Sequence, residues 1–391
     1  MNQNKNFIFI TKDAMCNDYL PVYGNKHWIT PNIDDIAAQG TVFNNYFCAA
    51  PSSTMAMYSF ITGIFAHETK YEMYERSEDV YNGETIFTKL RNSGYECHII
   101  WDELWGPTPK YVDCYHEAII HELRNFRQGV GAHYKHDGVL KPDEKKEEET
   151  FVMIEKTIQG ILASDKKIFL WIHFPHVING RVCYGSDIDL FDRYVGMLRK
   201  YFDDDAIAIS ADHGNMNGKK GKLCYGFDVY QSASRIPLIT PRIDDIKCYE
   251  GNVSAVDLYS MLNGKIVNRE FIYCDSQYCA QKNRKLAIIY KNFKYIYNKR
   301  TGIEELYDVA FDPYENFNLI SDYNYDVDRK VNAPSRELYF YPNWDEIPEI
   351  REKLRNEKNR IWRNGSLKTI VKSNVKDLLR PVYNKLVKRK A

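Results

Sequence analysis

"AIAISADHG", Ala206–Gly214, is a short apolar run that stops at an acid and a histidine. The run is too brief for a helix and alternates with β-branched Ile207 and Ile209, so it reads as a buried strand that enters a polar turn at Asp212. Working outward, the same texture recurs. "NFIFITK" (Asn6–Lys12) is an apolar run followed by Asp13, and "KKIFLWIHF" (Lys166–Phe174) carries His173 and leads to His176. "ETIFTKLRNSGYECHIIWD" is a helix, a glycine turn and a strand ending at Asp102. Between these lie helical segments: "TPNIDDIAAQG", "EEETFVMIEKTIQGILAS" and "DLFDRYVGMLRKYF". Strands alternating with helices predict an α/β domain with a mostly parallel central sheet. In such a sheet ligands gather at the carboxyl ends of the strands, where Asp13, His173, His176, Asp212 and His213 all fall.

Beyond about residue 245 the texture changes. "LAIIYKNFKYIYNKRTGIEELYDV" reads as short strands and turns of a small antiparallel subdomain, and the chain from about 346 reads as helical and charged. The expected organisation is a catalytic domain over 1–245, a subdomain over 246–345 and a helical tail over 346–391.

The 391 residues suffice for a large core. Basic and acidic residues balance at 53 each, which argues against nucleic acid as a partner. Nine scattered cysteines match no common zinc spacing and suggest reduced thiols. The amino terminus turns polar too soon for a signal peptide, and no apolar run reaches membrane-spanning length. These features lead to the expectation of a cytoplasmic protein. One segment breaks the charge balance: Ser366–Ala391 holds eight Lys/Arg and one acid, with Leu367, Ile370, Val371, Leu378 and Leu379 at helical spacing. A basic amphipathic helix of this kind fits peripheral contact with the inner membrane surface, or packing on the domain.

Four stretches, in order, resemble the sulfatase branch of the alkaline phosphatase superfamily. "SADHGNMNGKKGKLCYGFDVYQSASRIPLIT" is similar to that family's "SDHGE … Y … RVPLI", and "PNIDDIAAQGTVFNNYFCAAPSSTMAMYSFITG" to its "PNIDRLAAEGVRFTNAYSAAP … SLLTG". "ETIFTKLRNSGYECHII" resembles "TLAELLKEAGYETALV", and "GIEELYDVAFDPYENFNLISD" resembles the C-terminal "ELYDLEKDPGETNNLA". The resemblance spans residues 6 to 322. It implies an alkaline-phosphatase-like sandwich, a central sheet between helices, with one divalent metal ion beside a hydroxyl or formylglycine nucleophile. Its first-strand acid falls on Asp13, with Tyr23-Gly24 at the matching distance, and its "DHG" pair on Asp212 and His213. Counting back ten residues from Gly63 places the nucleophile on Ser53, with Thr54 beside it. Asp13, Ser53, Asp212 and His213 would then hold the metal, and such N/O donors suit Zn²⁺, Mn²⁺ or Mg²⁺ better than Ca²⁺.

Departures from the family pattern matter as much. Sulfatases mature a Cys or Ser in C/S-x-P/A-x-R to formylglycine, whereas this chain has Met55 and Met57 at the Pro/Ala and Arg positions. Where the family's "GKWHLG" helps hold sulfate, the chain reads "WDELWG", with Asp102 at the lysine position. An unmodified hydroxyl resembles instead the phosphoethanolamine and phosphoglycerol transferases of the superfamily. The second-metal histidine of two-metal relatives falls near Tyr225-Gly226. The "HxxxPH" element is shortened to His173–His176, making His176 a candidate leaving-group acid and His173 a substrate contact. Lys220 and Lys222, after the metal ligands, are candidate clamps for an anionic oxygen.

The expectation is a metal-dependent phosphoester transferase or hydrolase with a seryl intermediate. Its substrate would be a phosphodiester or a phosphorylated glycan or lipid head group of cell-surface polysaccharide. The alternatives are a sulfatase acting on sulfated sugar or aryl esters, and a non-catalytic relative that binds a glycan or a partner.

Overall fold

Apolar strands stack side by side in a computed structural model that describes residues 5–69, 81–102, 117–123, 126, 133–136, 139–142, 144–175, 184–276, 283–321, 324–326, 331–333 and 340–364. The strands of its first part are β1 (Phe7–Lys12), β2 (Thr41–Phe47), β3 (Tyr95–Asp102), β4 (Ile119–Leu123), β5 (His133–His136), β6 (Val139–Pro142), β7 (Lys167–Phe174), β8 (Ile207–Ala211), β9 (Arg235–Ile236), β10 (Leu238–Thr240) and β11 (Cys248–Ser254). Nine of them form one sheet in the order β11-β2-β10-β8-β1-β7-β3-β4, with β9 pairing β2. From β8 to β4 every pairing is parallel, while β10 runs antiparallel to β8 and β2. β5 and β6 make a separate hairpin.

β1 lies in the middle, between β7 and β8, and Phe7 through Ile10 are at most 1% exposed. A strand covered on both faces has no polar side to present, which is why its sequence is nearly continuously apolar. Helices α1 (Pro31–Gln39), α2 (Ser53–Thr62), α3 (Ile86–Asn92), α4 (Glu144–Leu162) and α5 (Tyr184–Leu198) supply the cover. Alternation along the strands assigns the faces. Phe9 and Trp171 meet Phe60 of α2 edge-on, and Trp171 also meets Phe87 of α3. Three residues on, Phe174 turns the other way and packs against Phe191 and Tyr194 of α5. Burying each such ring contributes about 1.5–3 kcal/mol.

The chain divides into two compact units, Met1–Cys279 and Ala280–Ala391. The texture change near 245 falls inside the first unit rather than at this division. The reason is that β11 adds to the large sheet as a parallel neighbour of β2. In the second unit Lys285–Tyr290, Phe293–Asn298 and Glu304–Asp308 form a small antiparallel meander, followed by a helix over Ile347–Asn364. Arg351 and Arg355 of that helix bond Glu304 at 2.9 and 2.6 Å. The basic segment 366–391 lies outside the described residues. Among the described residues no helix is long and apolar enough to cross a membrane.

Candidate active site

The site grows from the sheet face on which α2 packs. Thr11 pairs with His173 across β1 and β7 and with Ser210 across β1 and β8. Two residues further along, the same face carries Asp13 beyond β1 and Asp212 beyond β8. Asp13, Asp212 and His213 are buried, and each offers a ligand atom within 4.8 Å of the others. Asp13 is fixed by its amide, which donates to Phe174 O at 2.9 Å.

Asp212 is held by the backbone. Its Oδ1 accepts the amides of Ala14 at 3.0 Å and His213 at 2.7 Å, while Oδ2 is buried with no hydrogen-bond partner among the described residues. To reach Oδ1, Ala14 adopts a left-handed φ of 59°, a conformation an alanine takes only under external constraint. His213 is oriented in a similar way. Its Nδ1 lies 2.7 Å from Gly214 O, which can only accept, so Nδ1 carries the proton and Nε2 presents a lone pair. Gly214 has no room for a side chain, because a Cβ there would lie 2.0 Å from Ser232 O.

Ser53 opens α2, with Ser52 in the N-cap position. Gly63, at φ 71°, ends the helix by donating its amide to Ser59 O. Ser53 Oγ stands 3.0 Å from His213 Nε2, and with Nδ1 already protonated the serine is the donor. Nε2 also lies 3.7 Å from Asp13 Oδ1 and 3.5 Å from Asp212 Oδ2. Two carboxylates, a neutral imidazole nitrogen and a hydroxyl therefore converge. The partnerless buried Oδ2 of Asp212 is the observation that tests the metal reading. Left alone, it carries the desolvation cost of a charge, whereas a divalent cation on this O/N set would satisfy it. The donors fit.

The other sequence-predicted residues are placed as follows. Thr54 is the second residue of α2, half-buried beside Ser53. His173 is 4% exposed, and burial lowers its pKa against the opposing pull of the Asp212 and Asp13 carboxylates. Lys222 Nζ is 2.7 Å from Asp228, and the Lys220 and Lys222 ammoniums lie 5.3 and 5.4 Å from the Tyr230 ring. The structure thus groups both lysines around Tyr230. Tyr23 ties its segment to β10, donating to Leu238 O and accepting from Leu238 N. Asp102 is buried at the end of β3, and Met55 and Met57 are packed in the core. His176 lies outside the described residues.

Sequence reading did not recognise four residues as neighbours of the site. The Tyr225 ring covers His213 at 4.4 Å between centroids. Buried Cys16, its thiol pushed up to about 12 by desolvation, lies 2.9 Å from Ser232 O and accepts the Asn215 amide, joining the two loops that carry the ligands. Trp171 and Thr11 bond each other and, through Thr11, His173. Thr11 was the available signal, a lone hydroxyl inside an apolar strand.

The model of the sulfatase family matches residues 5–177. A stretch of 98 residues, 24% of this chain and 19% of the relative, is 34% identical to the uncharacterized sulfatase YidJ of Escherichia coli (strain K12). The chain spans about a fifth of the length of the curated relatives it matches. A solved 2-O GAG sulfatase shares the fold with a TM-score of 0.65 at 15% identity, over 91% of this chain and 92% of that one. The phosphonate monoester hydrolase of Agrobacterium radiobacter does so with a TM-score of 0.63 at 14% identity, over 90% and 96%. The sulfatase family model thus covers the first part of the chain, and both solved structures share its fold.

Proposed function

We propose that the chain is a metal-dependent hydrolase that cleaves an anionic sulfuric or phosphoric ester with Ser53 as nucleophile. The observation that carries this reading is Ser53 Oγ held 3.0 Å from His213 Nε2, beside the buried carboxylates of Asp13 and Asp212. These residues would hold one Zn²⁺, Mn²⁺ or Mg²⁺, which when bound supplies acidification of the serine hydroxyl and neutralisation of charge on the ester.

The chain's own groups do the rest. The Ala14 and His213 amides hold Asp212, and Gly214 O holds His213, so neither ligand reorganises when substrate arrives. Ser53 sits where the first amides of α2 point outward, which favours a nearby anion by about 0.3–1 kcal/mol. Ser53 Oγ forms a bond to the ester's phosphorus or sulfur as the bond to the alcohol oxygen breaks, the serine's proton balancing the one the departing alcohol takes up. Water then cleaves the seryl ester and restores the hydroxyl. His173 is a substrate contact in this reading, and residues 1–245 supply all the reacting groups.

Two observations divide the substrate class. The sulfatase match and the GAG sulfatase neighbour support a sulfuric ester on a glycan. Met55 and Met57, which replace the formylglycine signal, support attack by unmodified serine, and the phosphonate monoester hydrolase neighbour supports a phosphorus centre. The test is a screen of p-nitrophenyl sulfate, p-nitrophenyl phosphate and bis-p-nitrophenyl phosphate with metal-replete wild type and Ser53→Ala, alongside intact-mass analysis. Turnover that requires both metal and Ser53 supports the reading. The mass loss of serine oxidation to formylglycine at Ser53 would assign sulfate. Activity unchanged in Ser53→Ala would refute the mechanism.

A further inference from the structure

Trp171, Thr11 and His173 form a hydrogen-bonded chain on the sheet face that ends in the site. Trp171 Nε1 lies 2.8 Å from Thr11 Oγ1, which lies 2.9 Å from His173 Nδ1. The three residues are 2%, 0% and 4% exposed. Register explains the alignment: Thr11 faces His173 across β1 and β7, Trp171 precedes His173 by two, and Asp13 follows Thr11 by two.

The donor inventory gives the chain a direction. An indole N–H can only donate, so Thr11 Oγ1 accepts from Trp171. The hydroxyl has one hydrogen, and among the described residues the only acceptor placed for it is His173 Nδ1. The reverse polarity, Nδ1–H to Thr11, would strand that hydrogen in a fully buried position. Nδ1 therefore accepts, and a neutral His173 carries its proton on Nε2. The residue after His173, Phe174, accepts the Asp13 amide at 2.9 Å, so this end of β7 lies against the segment that carries a candidate metal ligand.

We infer that Thr11 and Trp171 are positioning residues that lock His173 as a neutral Nε2–H donor, aimed at a non-bridging oxygen of the bound ester. This deepens the proposed function and rests on it for the identity of the acceptor. The lock itself follows from the side chains alone. A donor fixed in this way does not reorient as charge builds on the ester oxygen. It also accounts for a buried polar residue directly after the apolar run Phe7–Ile10, where valine would otherwise pack as well.

The test uses metal-replete protein labelled with ¹⁵N-histidine. Long-range ¹H–¹⁵N spectra of the wild type are expected to show His173 as the Nε2–H tautomer, and adding inorganic phosphate is expected to shift Nε2. Thr11→Val should give mixed tautomers and lower kcat/KM by about 10–100-fold with metal content unchanged, the usual size for loss of a group that orients a functional histidine. Thr11→Ser keeps the hydroxyl and should restore both readouts, and Trp171→Phe should weaken the lock without abolishing it. A wild-type Nδ1–H tautomer overturns the inference, as does an Nε2 resonance indifferent to phosphate or a Thr11→Val protein with unchanged tautomer and kcat/KM. Absence of metal-dependent turnover in the wild type would instead count against the proposed function, since the tautomer is read without catalysis.

Discussion

Asp212 and Glu304 are both carboxylates held by several hydrogen bonds, yet they are built to opposite ends. Glu304, in the second unit, has both oxygens answered by Arg351, Arg355 and the Tyr295 hydroxyl. Burial would raise its pKa, but these bonds outweigh burial and hold it at about 2. Asp212 has one oxygen bonded to two amides and the other buried without a hydrogen-bond partner among the described residues. The first arrangement is complete within the chain; the second leaves one oxygen unanswered among the described residues. A buried carboxylate oxygen left over after its neighbours are satisfied is therefore a better marker of function than a carboxylate in a dense network.

The comparison can be broken in four ways. Ser53→Ala should have the largest effect, lowering kcat/KM of metal-replete protein by at least about 10³-fold, as expected for loss of a nucleophile. Steady-state assays on the preferred ester check it, with circular dichroism to confirm folding. Asp212→Asn should abolish the stabilisation that metal confers, about 2.7 kcal/mol at one hundred times Kd. The metal-free variant should melt no lower than metal-free wild type, since asparagine keeps the two amide bonds and removes the partnerless charge. Calorimetry with and without chelator decides this, and a metal-free variant melting well below wild type would place Asp212 with Glu304 as a structural acid.

Glu304→Gln should act in the reverse sense, destabilising the second unit with or without metal. Allowing for solvent screening, the loss is about 1 kcal/mol, and chemical denaturation measures it. The smallest effect is its pH signature. The folded pKa lies below the ordinary value of 4.5, so the Glu304 contribution is complete above about pH 4.5 and fades as pH falls toward 2. Wild type should lose more stability across that window than Glu304→Gln, and parallel curves would show that the two arginines contribute nothing net.

Much of this site was legible because a buried strand cannot end on an acid without reason. Asp13 and Asp212 follow runs of apolar residues, and their equivalence is visible before any coordinates. Ser53 was singled out by its distance from Gly63 within a resemblance, not by its own chemistry, since Ser52 and Thr54 offer the same group. The partners of the lysines were not legible. Lys222 meets Asp228 only because the loop folds back, a contact set by main-chain geometry that composition does not encode. The membership of β11 in the large sheet was not legible either, because the strand is half-exposed along much of its length and lacks the apolar signature of the strands it joins. A buried edge announces itself in sequence, whereas an exposed strand is specified by the neighbour it pairs with.

Ala14 has a consequence for anyone wishing to transplant this chemistry. Its amide reaches Asp212 only because the residue after Asp13 turns left-handed. The side chains of Asp13, Asp212 and His213 could be grafted onto other parallel strands, but the graft would deliver ligands without the bracket that steadies them. Portability here is a property of a stretch of main chain, residues 13 and 14 taken together with 212 to 214, and a designer would have to copy the bend before the acids.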